Sequence, residues 1–302
     1  MLPETHDLFV GITTSNSSRF IGCCLDALRE RTRGVRLRTV VLDNYSTDDT
    51  AAIAASRGAQ VVRKACTQPD ALNALLRQSR NPFTLLMHPD TVVLGDDWFE
   101  RCAQKAADHA LVSPEDIGCG PFSRPFGAEM PESSFLFFNT RMIRKVLDWR
   151  VVRRYRLPIP RRALDLYADH VTHRLPARLQ RSGLRWFPMS VHVSDRTESP
   201  IYQPLVPDIP SNWVWNESLA YYRYGLGNFY SIDGKITHYH NWYERVRVDV
   251  PDDSLETTTY DGSPGFPLVY VRNYTNRFLA DFRGGRVRLP APNTARTTPA
   301  LL

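Results

Sequence analysis

FTLLMHPDTVVLGDD, residues 83–97, is the stretch on which the reading of this chain turns. Phe83-Thr84-Leu85-Leu86-Met87 is a short apolar run bracketed by Asn81-Pro82 and His88-Pro89, the length and punctuation of a strand buried on both faces. His88-Pro89-Asp90-Thr91 breaks the run and apolar Val92-Val93-Leu94 follows at once. The polar residues therefore interrupt apolar sequence and do not simply open a surface loop. A carboxylate placed there needs compensation, because unpaired charge in apolar surroundings costs several kcal/mol. Two readings of Asp90 stay open: it caps the turn through the local hydrogen bonding that Asp favours, or it holds a divalent cation whose shell is completed by phosphates.

Upstream of this stretch, strand and helix alternate. Residues 8–14 predict a first strand, followed by turn and capping residues Ser15-Asn16-Ser17-Ser18 and a helix to about Arg31. Phe20, Ile21, Cys24, Leu25 and Leu28 fall on one face of that helix. Residues 37–42 predict a second strand ending at Asp43, then a polar loop, Asn44 to Thr50, in which Ser46 and Asp49 have capping-box spacing for an Ala-rich helix. A short strand over 60–63 and a helix over 71–80, with Thr67, Asp70 and Pro69 at its start, lead back to Phe83. Such alternation with short connections predicts an α/β fold, a Rossmann-like, mostly parallel sheet flanked by helices. Ligands bind beyond the carboxyl ends of such strands, where three polar clusters fall: Thr13-Thr14-Ser15-Asn16, Asp43-Asn44 and His88-Pro89-Asp90. No Gly-x-Gly-x-x-Gly or Gly-x-x-x-x-Gly-Lys loop follows the first strand, which argues against a nicotinamide dehydrogenase and a P-loop enzyme.

At 302 residues, 42% apolar and 23% charged, the chain has the composition of an ordinary globular protein with a sizeable core. It has neither an apolar window long enough to span a bilayer nor a basic-then-apolar start, so a cytoplasmic protein is expected. The five cysteines, Cys23, Cys24, Cys66, Cys102 and Cys119, lack paired metal-type spacing and are expected to be free thiols, mostly packed. The net charge of +6 is concentrated in an arginine-rich region over 144–185. That region is either a solvated helix face or a contact for anions, a nucleotide's phosphates or an anionic membrane surface. No nucleic-acid-binding motif accompanies it, and no nucleic-acid partner is expected.

Residues 8 to about 190 resemble a glycosyltransferase of the GT-A fold, close to family 2. Ile12-Thr13-Thr14-Ser15-Asn16 stands where that family usually has Ile-Pro-Thr-Tyr-Asn, and residues 43–50, DNYSTDDT, follow its Asp-Asn-x-Ser-x-Asp-x-Thr loop. His88-Pro89-Asp90-Thr91 occupies the place of the family's Asp-x-Asp motif, with His88 replacing the first carboxylate. The resemblance implies transfer of a sugar from a UDP-, dTDP- or GDP-sugar to a hydroxyl of a glycan, lipid-linked or small-molecule acceptor. It implies a nucleotide site of Thr13, Thr14, Asn16, Asp43 and Asn44, with Asp43 on the base, and Mg2+ or Mn2+ at Asp90. His88 ligates Mn2+, hydrogen-bonds the sugar, or is a packed turn residue. Tyr167-Ala168-Asp169-His170 is the nearest match to the family's acidic pair, with Ala168 in place of Glu. Asp169, then Asp165, is thus the expected base for an inverting transfer; the alternative is a carboxylate paired with Arg162 or Arg174.

Farther on, residues 118–131 predict a long loop, residues 134–139 a strand, and Thr140 the start of a helix carrying Met142, Ile143, Val146 and Leu147. A helical stretch over 162–182 ends at Gly183. Beyond about Pro188 the resemblance fades. Aromatic residues over 198–230 line either a sugar site or core. His238 and His240 share a face if they lie in a strand, and the family's use of a C-terminal histidine at the metal or diphosphate implies one or both there. The expected domains are a GT-A unit over 1–190, with a nucleotide half over about 1–115 and an acceptor half over about 116–190, and a C-terminal extension over 191–302. The rival readings are a catalytically silent nucleotide- or glycan-binding member and a nucleotidyltransferase.

Overall fold

The computed structural model describes residues 7–115, 131–149, 171–172, 175–192, 224, 227–241 and 268–289. Its first half is a run of strands and helices: β1 Asp7–Thr14, α1 Ser18–Arg31, β2 Arg36–Asp43, α2 Thr50–Ser56, β3 Gln60–Arg63, α3 Gln68–Gln78 and β4 Phe83–Met87. These four strands pair in the order β3-β2-β1-β4, all parallel, as the alternation of elements predicts. Central β1 alternates between two cores. Leu8, Val10 and Ile12 join a cluster with Phe20, Ile21 and Leu28 of α1, while Phe9 faces Leu72, Leu75 and Leu76 of α3 on the other side. Gly11 is required between them: a Cβ there would lie 2.8 Å from Leu86 Cδ2 and 3.1 Å from Leu75 Cβ, so α3 could not seat so closely.

After β4 the chain turns through residues 88–90 into β5 Thr91–Val93, α4 Trp98–Ala106, β6 Leu111–Pro114, β7 Phe135–Asn139 and the short α5 Thr140–Ile143. The helix expected to run on to Leu147 is confined to that one turn, with further turns over Val146 and Leu147. Then come α6 Leu175–Arg181, β8 Trp186–His192, β9 Gly227–Ile232, β10 Lys235–Asn241 and α7 Leu268–Arg283. Gly183 follows α6 at φ 65°, as predicted for its end. The full order is β3-β2-β1-β4-β7-β6-β8-β9-β10-β5. Beyond the parallel half, β7 runs antiparallel to β4 and β6, and β8, β9, β10 and β5 pair antiparallel in succession.

β4 and β5 are neighbours in sequence yet lie far apart in this order. The sheet thus curls until its last strand returns beside the end of β4, and His88-Pro89-Asp90 forms the joint. That is why a polar break sits inside apolar sequence. Gly95 permits the return, since a Cβ there would sit 2.5 Å from the carbonyl oxygen of Ile236 at the start of β10. Outside the sheet, Phe278 of α7 stacks on Tyr239 at 4.0 Å and on Phe20 at 6.1 Å, tying the C-terminal elements onto α1.

The capping box expected at Ser46 and Asp49 is not formed. Asp49 is the cap position of α2 without a side-chain cap bond, because the Ser46 hydroxyl donates to Asp43 and the neighbouring Asp48 accepts from the Thr50 and Ser18 N–H groups at 3.0 and 3.1 Å. The box at Thr67 and Asp70 does form, and Thr67 Oγ1 accepts from Asp70 N–H at 3.4 Å. Cys23, Cys24, Cys66 and Cys102 are free thiols, three of them buried; Cys119 lies outside the described residues.

Candidate functional site

Two clusters form at the carboxyl ends of the parallel strands. In the first, the loops after β1 and β2 are laced together. Asn44 N–H donates to Thr14 O at 2.8 Å, Asn16 N–H to Ser46 Oγ at 2.8 Å, Thr47 N–H to Asn16 Oδ1 at 2.8 Å, and Ser17 N–H to Thr50 Oγ1 at 2.7 Å. Asn16 and Tyr45 take left-handed backbone, at φ 48° and 51°, and for Asn the conformation is an accessible one. Thr13 and Thr14 are buried beneath.

Asp43 is wholly buried. It accepts from the Ser46 N–H and hydroxyl and, at 3.2 Å, from Arg63 Nε. Its carboxylate organises the loop, and the outward groups are the Asn44 side chain, which accepts from Cys66 N–H at 3.2 Å, and the exposed ring of Tyr45 with the Arg63 guanidinium 5.5 Å from its centroid. Tyr45 and Arg63 were not legible as site residues. The signal was the single aromatic residue in an otherwise polar loop.

The second cluster is the joint itself. Thr91 N–H closes a turn on His88 O at 3.4 Å, and Asn241 N–H at the end of β10 donates to Asp90 O at 3.0 Å. Pairing of His240 with Thr91 brings His240 Nε2 to 3.4 Å from Asp90 Oδ1. The His88 and His240 rings lie 5.8 Å apart between centroids. His88, Asp90 and His240 are all buried, and each offers a ligand atom within 4.8 Å of the others. His88 Nε2 also lies 3.1 Å from Gln68 Nε2 and 3.4 Å from Ser133 Oγ.

Behind His240 stands a carboxylate that sequence reasoning missed: Glu132 Oε1 is 2.6 Å from His240 Nδ1. Burial disfavours charge on His240, but Glu132 and then Asp90 outweigh it and hold its pKa up at about 9. Glu132 shows the converse: burial raises its pKa, and the His240 charge with its hydrogen bonds brings it below the ordinary value. No motif marks Glu132; the signal was an acid three residues before a strand that pairs with β4.

His238 stays apart from this group. It is sandwiched between Phe135 at 4.1 Å and Tyr230 at 4.7 Å, and burial, with the His240 charge, pushes its pKa well down. Asp165, Asp169 and His170 lie outside the described residues, as does most of the arginine-rich region, of which Arg144, Lys145, Arg181 and Arg185 are exposed. A cleft of about 500 Å³ opens on the outer face of α1, between Arg57 and Arg283, and includes none of these site residues. Its Arg57 is held by Asp26 at 3.1 Å and its Arg31 by Asp96 at 2.6 Å.

Residues 9–152 match the sequence model of the family described as Glycosyl transferase family 2. That stretch is similar to a family 2 glycosyltransferase domain. It has the GT-A architecture expected of the family, and it contains the Asp43 loop, the Asp90 joint and Glu132, while His240 lies beyond it. No curated protein sequence matches the chain. Among solved structures, a mannosyltransferase from Pyrobaculum calidifontis in complex with GDP-Man and Mn2+ is 17% identical, over 60% of this chain and 54% of that one, with a TM-score of 0.43. Glucosyl-3-phosphoglycerate synthase from Mycobacterium tuberculosis with Mg2+ and UDP is 17% identical over 46% and 58%, TM-score 0.36. Mannosyl-3-phosphoglycerate synthase from Rubrobacter xylanophilus is 17% identical over 46% and 55%, TM-score 0.38. This chain spans little more than half the length of each. Among the described residues, no helix is long and apolar enough to cross a membrane.

Proposed function

We propose that the protein transfers a sugar from a nucleotide diphosphate sugar to a hydroxyl acceptor, with inversion. The observation that supports this best is the convergence of His88, Asp90 and His240, within 4.8 Å, at the strand ends of a family 2 domain, where ligands of such sheets bind. Two imidazoles and a carboxylate fit a divalent cation. The set is softer than the all-oxygen shell that Mg2+ prefers, which favours Mn2+. A cation bound there supplies positive charge where the diphosphate leaves.

The chain's own residues do the rest. The laced loops of Asn16 and Asp43 hold the nucleotide, a uridine, thymidine or guanosine diphosphate, with Thr13 and Thr14 beneath and Asn44 and the Tyr45 ring toward the base. The role of Asp43 is to fix that loop. Asp169, or failing it Asp165, takes the proton of the acceptor hydroxyl on the face opposite the diphosphate. The acceptor is a glycan, a lipid-linked sugar or a small molecule, and the arginine-rich 144–185 region rests on an anionic membrane surface at the cytoplasmic side. Residues 191–302 complete the 1–190 unit by supplying His240.

Calorimetry with UDP, dTDP and GDP, each with and without Mn2+, followed by donor hydrolysis, tests the reading. Tight nucleotide binding that Mn2+ strengthens, with hydrolysis of one donor, is expected. Binding without hydrolysis or transfer to any acceptor would make the protein a binding module, and full turnover in excess chelator would remove the cation from the reaction.

A further inference from the structure

We infer that Glu132 is a positioning residue of the cation centre, acting through His240, with Tyr230 holding it in place. The inference rests on the reading of His88, Asp90 and His240 as a cation site.

The geometry is a relay of contacts leading away from Asp90. His240 Nε2 faces Asp90, and Nδ1 faces Glu132 Oε1 at 2.6 Å. When a cation displaces the Nε2 proton, the proton left on Nδ1 faces Glu132, the Nε2 lone pair points into the centre, and the carboxylate makes the imidazole a stronger donor. The other oxygen of Glu132 accepts from the Tyr230 hydroxyl. The Tyr230 ring is fixed against His238, which stacks in turn on Phe135. The Glu132 backbone is pinned too, donating its N–H to Pro114 O at 2.9 Å, while Ser134 O two residues on accepts from His88 N–H at 3.0 Å and from the Thr91 hydroxyl at 3.2 Å. One short segment, 132–134, therefore orients His240 with a side chain and the His88–Thr91 turn with its main chain.

The test is Mn2+ titration of the full chain without nucleotide, comparing the parent with Glu132→Gln, Glu132→Asp, Tyr230→Phe and Asp90→Asn. Melting in chelator is recorded for each. Glu132→Gln should weaken Mn2+ binding by about 10- to 100-fold, Glu132→Asp should recover part of the loss, and Tyr230→Phe should weaken binding less, in the same direction. Parent-like affinity in both Glu132→Gln and Tyr230→Phe, with loss in Asp90→Asn, overturns the assignment of Glu132 alone, and any fall in melting temperature then marks it as packing. Should Glu132→Gln not fold, Tyr230→Phe decides: a loss of affinity supports the relay and an unchanged affinity overturns it. A parent that binds no Mn2+ removes the cation reading and this inference together.

Discussion

Asp43 and Asp90 sit at the ends of two parallel-sheet connections and differ in what their removal should do. Asp43 ties Ser46 and Arg63 and keeps the proposed nucleotide loop in shape, so Asp43→Ala should weaken nucleotide binding with and without Mn2+. Asp90→Ala should remove only the Mn2+-dependent part, and calorimetry under the two conditions separates them. Equal losses in both would show the roles to be misassigned. His240 gives a pH signature in chelator. Its folded pKa, about 9 against an ordinary 6.5, lies above the unfolded value, so its stabilising contribution is complete below about pH 6.5 and fades as pH rises through 9. Glu132 has a lowered pKa, against an ordinary 4.5, so its contribution is complete above that value and is lost as pH falls below it. The melting-temperature difference between the parent and His240→Gln should be greatest between about pH 4.5 and 6.5 and shrink toward pH 9; a flat difference would mean that His240 is not held as a cation. Asp90 was legible in sequence because a charge between two apolar runs is conspicuous. Glu132 was not, since its meaning comes from a histidine placed by another strand.

At the level of elements, the strands of the parallel half and the box at Thr67 could be read from residue patterns, because each is decided by neighbours a few positions away. The Ser46 box failed because Asp43 and Asp48 compete for the same short-range donors, and spacing does not say which acceptor wins. The β9–β10 hairpin had a local signal, Asp233-Gly234 between two strands, and both residues take positive φ, 50° and 75°, the two-residue turn that suits a right-twisted ribbon. Since β10 carries His240, the turn bears on the proposed cation centre at a distance. Gly234→Ala puts a Cβ at positive φ, costing about 1–2 kcal/mol, and should lower both melting temperature and Mn2+ affinity while leaving metal-free nucleotide binding near that of the parent. Loss of all three would show that the hairpin supports the whole sheet and not the joint in particular.

Across the whole molecule, the proposed chemistry needs a base, and the candidates for it, Asp169 and Asp165, lie outside the described residues. If Asp169 supplies it, Asp169→Asn should slow single-turnover transfer by about 100- to 10,000-fold at saturating donor and acceptor with donor affinity kept, and a rate within about threefold of the parent would pass the role to Asp165. What could not be read in the sequence is the curl of the sheet, because it depends on pairings between segments far apart along the chain, such as Tyr230 with Glu132, 98 residues distant. That curl also bears on when the proposed cation centre can form. As the chain leaves the ribosome, β1 to β4 precede β10 by well over a hundred residues, so His88 and Asp90 gain His240 only once β10 has been synthesised and paired with β5, at an entropic cost that grows slowly with the separation. On the proposed reading, a nascent or C-terminally clipped chain would keep the Asp43 loop but lack the His240 that the cation centre needs.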